Sequence, residues 1–141
     1  MKTTTQILPG IKSIGWVDSR HLQRRVDLRS ICRMSVLILT QIHQIPFFGD
    51  PSCVCKSVKE GAGYQETATL KFNTNIRLPR GIRPAFVVTD VNGDSFLIGA
   101  REHALAIAEC EYNSGTPSGD EAGYSYEIKH VAIKTLVPCV R

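Results

Sequence analysis

The residues best suited to chemistry are five cysteines: Cys32, Cys53, Cys55, Cys110 and Cys139. Cys53 and Cys55 are spaced to share one face of a strand. Zinc ligands usually pair as C-x-x-C or wider, which turns the chain around the ion, and C-x-C on a strand is a poorer clamp. Cys110 or Cys139 completes a ligand set only if the fold carries it there. Free cysteine ordinarily packs as a small hydrophobe, so the expectation is no metal and no disulfide. The odd count, with an N-terminus lacking an apolar signal region, suggests reduced thiols. The four histidines, His21, His43, His103 and His130, share no ligand spacing. A Cys–His nucleophilic pair can be distant in sequence, and nothing here singles one out. Asp90-Val91-Asn92-Gly93-Asp94 looks like a calcium loop. From Asp90, however, Ser95 and Arg101 fall where the EF-hand pattern requires glycine and glutamate. Gly115-Thr116-Pro117 and Ser118-Gly119-Asp120 are turn chemistry, and no glycine-rich phosphate loop follows a strand. These readings predict no catalytic residues, no cofactor and no enzyme.

The remaining chemistry is cationic. Arg20, His21, Arg24, Arg25, Arg29 and Arg33 form a basic run. On a strand, alternate arginines would make one positive stripe, suited to a phosphate backbone or an acidic partner. Single-strand binders also need aromatic platforms, and none lies nearby. A solvated face or a subunit seam is the favoured account of the run, since backbone binding alone asks for a denser patch. Arg24, Arg25, Arg29 and Arg33 are therefore candidate contacts to an oligomer mate or partner.

The elements that must position these residues are strands. In PAFVVTDVNGDSFLIGA, residues 84–100, Asn92-Gly93 is the strongest short hairpin signal, because both residues tolerate the positive φ of a type I′ turn. A two-residue turn would set Val91 against Asp94, Thr89 against Phe96, Val88 against Leu97 and Val87 against Ile98. One face then collects Phe86, Val88 and Leu97; the other collects Val87, Val91, Phe96 and Ile98. A hairpin apolar on both faces must be covered on both, by the rest of a sandwich or barrel or by another subunit. Upstream, residues 1–10 read as an extended polar arm and 11–17 as a short strand anchored by Trp16. Between 26 and 39, period two fits better than 3.6, predicting a long strand with Val26, Leu28, Cys32, Met34, Val36 and Ile38 on one face. Residues 52–60 and 64–73 alternate and make a second hairpin. Leu105 to Tyr112 is another strand, 113–123 a long loop, and 124–137 a closing strand whose inward set slips after His130, as a bulge would cause. The fold class predicted is all-β: an antiparallel sandwich or barrel of about eight strands, with little or no helix, in a single domain over 11–141.

The net charge of +4 is mild, permitting an acidic partner without requiring one. No apolar run approaches the roughly 20 residues of a membrane span, so no membrane partner is expected. The stretches IPFFGDP, ATLKF, FVVTDVNGDSFLIG and GTPSGDEAGYSYEIKHVAIKTLVP resemble small all-β structural proteins of bacteriophages and prophages over about residues 46–138. The first 45 residues lie outside the likeness. The resemblance implies a virion component of neck or tail, assembled as a ring with other virion proteins and found in the virion or the host bacterial cytoplasm. The alternative expectation is a small β-barrel binding nucleic acid through Arg20–Arg33.

Overall fold

The computed structural model describes residues 2–7, 10–34, 36–38, 40–60, 63–79, 81–101, 106–113, 123–132 and 134–140. In chain order the elements are β1 (Lys2–Ile7), β2 (Ile11–Asp18), a 3-10 turn (Ser19–His21), α1 (Val26–Ile31), β3 (Val36–Leu37), β4 (His43–Ile45), β5 (Phe48–Glu60), β6 (Gly63–Thr74), β7 (Pro84–Asp90), β8 (Ser95–Ile98), β9 (Ile107–Asn113), β10 (Gly123–Ala132) and β11 (Val137–Val140). The first sheet runs β1-β5-β6-β10-β9 and the second β3-β11-β8-β7-β2-β4. Every pairing is antiparallel except β3 with β11. The chain is an all-β sandwich, and neither sheet closes into a barrel. Among the described residues no helix is long and apolar enough to cross a membrane.

The core sits between the sheets. Cys53, Cys55, Leu70, Phe72, Tyr126 and Ile128 of the first sheet meet Ile14, Ile45, Phe86, Val88 and Ile98 of the second. A smaller core lies on the far side of the second sheet. There Val17, Ala85, Val87, Leu97 and Val137 pack under Leu22, Val26, Val36 and Ile38. The central hairpin is thus covered on both faces by its own chain, and residues 22–38 form a third layer.

Its register differs from the expectation. Val87 pairs with Leu97, Val88 with Phe96 and Thr89 with Ser95. The loop holds three residues, not two: the Gly93 N–H donates to the Asp90 carbonyl at 3.1 Å, and the Asp90 N–H donates to the Asp94 carbonyl at 2.9 Å. Only Gly93 of the Asn92-Gly93 pair takes positive φ, at 89°, as in a type I turn closed by a bulge. One extra loop residue exchanges the faces of the second strand, so Leu97 joins Val87 while Phe96 and Ile98 join Phe86 and Val88. The Asp90 carboxylate fixes this loop, accepting from the N–H of Asn92 at 2.9 Å and of Asp94 at 3.0 Å.

Three other expectations change. The long strand over 26–39 is α1 followed by the two-residue β3. Leu22, ahead of the helix, and Val26, its first residue, are buried, while Leu28, Cys32 and Met34 of the supposed inner face are exposed; the segment covers a finished sheet and needs only one buried side. The closing strand is two strands, β10 in the first sheet and β11 in the second. β10 keeps unbroken register from Tyr124↔Thr74 to Ala132↔Glu66, with no bulge; His130 stays inward and the apparent slip is the chain changing sheets. Thr135 anchors that crossing. Its N–H donates to Glu66 Oε1 at 2.9 Å, and its buried hydroxyl lies 3.2 Å from Cys55 Sγ. The split of the closing segment, together with β1 and β4, brings the strand count to eleven among the described residues, where about eight were expected. Finally, residues 2–7 of the arm are β1, paired from Lys2↔Lys59 to Ile7↔Val54 with β5 of the same chain.

Candidate interaction surface

The basic run is built as an ordered cover rather than a strand. Asp18 caps the 3-10 turn by accepting from the Arg20 N–H at 3.0 Å, and its carboxylate takes the Arg20 Nη2 at 2.7 Å. These bonds from Arg20 hold the Asp18 carboxyl down at about 2. Arg20 is thereby spoken for, and so is Arg29, whose Nε donates to the Arg24 carbonyl at 3.1 Å. The helix between them is short and strained at both ends. Arg25 enters it at φ 50° and Arg33 leaves it at φ 60°; among the described residues these are the two non-glycine positions in the left-handed region. The exit is a Schellman motif, with Met34 N–H on the Arg29 carbonyl at 2.7 Å and Arg33 N–H on the Ser30 carbonyl at 3.1 Å. Glycine ordinarily fills the place Arg33 holds.

The arginines do not form one stripe. Arg24, Arg25 and Arg33 are exposed around α1, while Arg29 is half-buried within it. Among the exposed large hydrophobics, Leu28, Ile31 and Met34 lie in or just after α1, and Leu37 and Val140 lie on β3 and β11. Leu28 and Ile31 lie one turn apart on the outer helix face. Leu37 and Val140 are partners across β3 and β11; they alternate with Val36 and Val137, which pack beneath the α1 cover, so they point to the other face of the sheet. A helical reading of 26–31 would have found the exposure of Leu28 and Ile31, because they fall opposite Val26 at 3.6-residue period.

The two thiols of the C-x-C pair are withdrawn from solvent. Cys53 and Cys55 are core residues; burial, with the Cys55 thiol beside it, pushes Cys53 up to about 12. Burial also raises Cys55. None of the five cysteines is joined in a disulfide. Among the histidines, His43 stacks on Trp16 with ring centroids 4.3 Å apart, His130 is buried in β10, and His103 lies outside the described residues. Asn92 and Gly93 do turn work only, and most of the 113–123 loop falls outside the described residues.

The opposite charge gathers at one groove on the first sheet. An open groove of about 410 Å³ on it is lined by Asp50, Glu109, Glu111 and Glu127, with Lys71 among them. Lys129 Nζ lies 3.5 Å from Glu127. Glu109 stands opposite Glu127 across β9 and β10, a like-charge pairing that destabilises. Among the described residues no His, Cys, Asp or Glu cluster has the make-up of a metal site. No family model, curated protein or solved structure matches the chain.

Proposed function

We propose that the chain is a non-enzymatic structural subunit of a phage-type particle, a neck, head–tail connector or tail component, that self-associates into a ring. The sequence likeness over 46–138 suggests the class, and one structural observation carries the association. The first sheet ends in two long strands, β1 and β9, and no described strand pairs with the outer edge of either. Edges of that length invite another chain. By contrast, the edges of the second sheet are short, and the Leu37 N–H of β3 is capped by the Gln23 side-chain oxygen at 3.1 Å. The need to cover the central hairpin gives no support, since the chain covers it itself. The nucleic-acid alternative, through Arg20–Arg33, is weakened by the engagement of Arg20 and Arg29 within the chain.

The test is sedimentation of the full chain and of a form lacking residues 1–10, with and without an oligonucleotide at two salt concentrations. The full chain should sediment as an oligomer, and the truncated form, still folded, should associate more weakly, because an exchanged arm can make on a neighbour's β5 the bonds it makes on its own. A monomer that shifts only with oligonucleotide, and less at high salt, would replace this reading by the alternative.

A further inference from the structure

We infer that the outer edge of β9 pairs with the outer edge of β1 on the next copy, so that the first sheet runs on from copy to copy. The inference rests on the self-association proposed above and names the two edges that meet. β1 and β9 lie at opposite ends of the first sheet, and no described strand pairs with the outer side of either. They are matched in length, at six and seven residues, which gives a paired edge of about 20 Å. Their directions also agree. The steps β1–β5, β5–β6, β6–β10 and β10–β9 are all antiparallel, so β1 and β9 point the same way. A copy rotated about an axis along the strands therefore lays its β1 beside β9 as a parallel pair. Nothing described stands in its way: Ile107 on one face of β9 and Tyr112 on the other are 64% and 62% accessible.

Charge selects this pairing over the two-fold one. Cys110 stands opposite Tyr126, which is buried in the core, so Glu109 and Glu111 point to the outer face of the sheet. Pairing of β9 with itself about a two-fold axis is antiparallel. In every register that joins most of the strand, it sets Glu109 or Glu111 directly against a glutamate of the other copy. Like charges so placed destabilise, and Glu127 opposite Glu109 adds to the repulsion. β1 brings no such conflict, because its sequence from Thr3 to Ile7 is uncharged. Behind it on β5, the exposed Lys56 alternates with the buried Cys55 and so lies on the outer face as well. It would stand two strand spacings from β9, about 10 Å. That is about one Debye length at physiological salt, so Lys56 steers the approach more than it holds it. A contact between two different edges is head-to-tail, and it closes into a ring or runs on as a filament.

The experiment uses the full chain and the native thiol of Cys110 on β9, with the exposed Cys32 changed to Ser throughout. Thr3→Cys, Thr4→Cys, Thr5→Cys and Gln6→Cys are made one at a time. Each assembled protein is oxidised with copper–phenanthroline and run on a non-reducing gel, with circular dichroism as the check of fold. At least one position should give a ladder that climbs beyond dimer, since each copy offers a partner at either edge, and the ladder should vanish in Cys110→Ser. A product that stops at dimer and needs only Cys110 would mean that β9 pairs with itself. One that persists in Cys110→Ser would mean that β1 meets some other element. Either would overturn the inference. No cross-link at any position, from a parent that sediments as an oligomer, would overturn it too, leaving self-association to another contact such as exchange of the arm. A parent chain monomeric at every concentration would remove the second copy altogether. Hydrogen exchange gives an independent reading: alternate amides of both β1 and β9, open in the dilute chain, should become protected on assembly, and unchanged exchange on either strand would refute the pairing.

Discussion

Replacing Gly93 tests how tightly the central hairpin is set. Gly93 has φ 89°, and a Cβ placed there would meet no atom within 4 Å. Crowding contributes nothing, so Gly93→Ala should cost only the left-handed backbone term, about 1–2 kcal/mol. Gly93→Val adds the stiffness of a β-branched side chain and should reach about 3 kcal/mol. Asp90→Ala attacks the same loop by another route. It removes the acceptor for two loop amides, at 2.9 and 3.0 Å, at a cost of about 1–3 kcal/mol. A chain of this length has a total stability of roughly 7–21 kcal/mol at typical per-residue values. Each variant should therefore fold, with its urea midpoint lowered. Because both changes strain one loop, the double variant should fall short of the sum of the two. The wild-type amides of Val87, Val88 and Leu97 should be among the slowest to exchange, since both faces of the hairpin are buried. Gly93→Val within about 0.3 kcal/mol of wild type, or fast exchange at those three amides, would refute the reasoning.

Two further outcomes follow from the ionisable groups. Cys32 and Cys110 are exposed and Cys53 and Cys55 buried, so a thiol reagent should modify the first two in the native protein, Cys139 more slowly, and the buried pair only on unfolding; rapid native labelling of Cys53 would contradict this. Burial raises the folded Cys53 thiol from 9.0 to about 12, so its contribution to stability is complete below pH 9 and lost as pH rises toward 12, which alkaline denaturation of Cys53→Ala against wild type would reveal. Asp18, lowered from 3.8 to about 2 by Arg20, contributes stability above its unfolded value that disappears as pH falls through about 2; in Arg20→Ala its NMR titration should move back up toward 3.8.

The strands legible in the sequence were 52–60 and 64–73, whose alternation reports a half-buried sheet, and both arms of the central hairpin, whose apolar runs flank a turn signal. What failed was local and has physical causes. Asn92-Gly93 signals a two-residue turn, but the Asp90 carboxylate favours a three-residue loop by capping two amides, and that choice exchanges the faces of β8. Over 26–39 the apolar spacing fits a strand only if Leu28, Cys32 and Met34 go inward, and tertiary packing left them outside. The arginines were legible as a candidate contact. Their place on and around the short helix α1 was not, because the apolar spacing there fits a strand as well.

The parallel pairing of β3 with β11 bears on the order of assembly. The β5–β6 and β7–β8 hairpins close over short loops, whereas β3 must find β11 across roughly a hundred residues of chain. Sheets dominated by such distant pairings fold slowly, in about milliseconds to seconds. Val137 of β11 is itself part of the core beneath α1, so the cover cannot seat fully before β11 arrives. Until then Ala85, Val87 and Leu97 face water, and the refolding chain passes through an uncapped form with an adhesive apolar face. Refolding yield should accordingly fall as protein concentration rises, with late protection concentrated at residues 22–38.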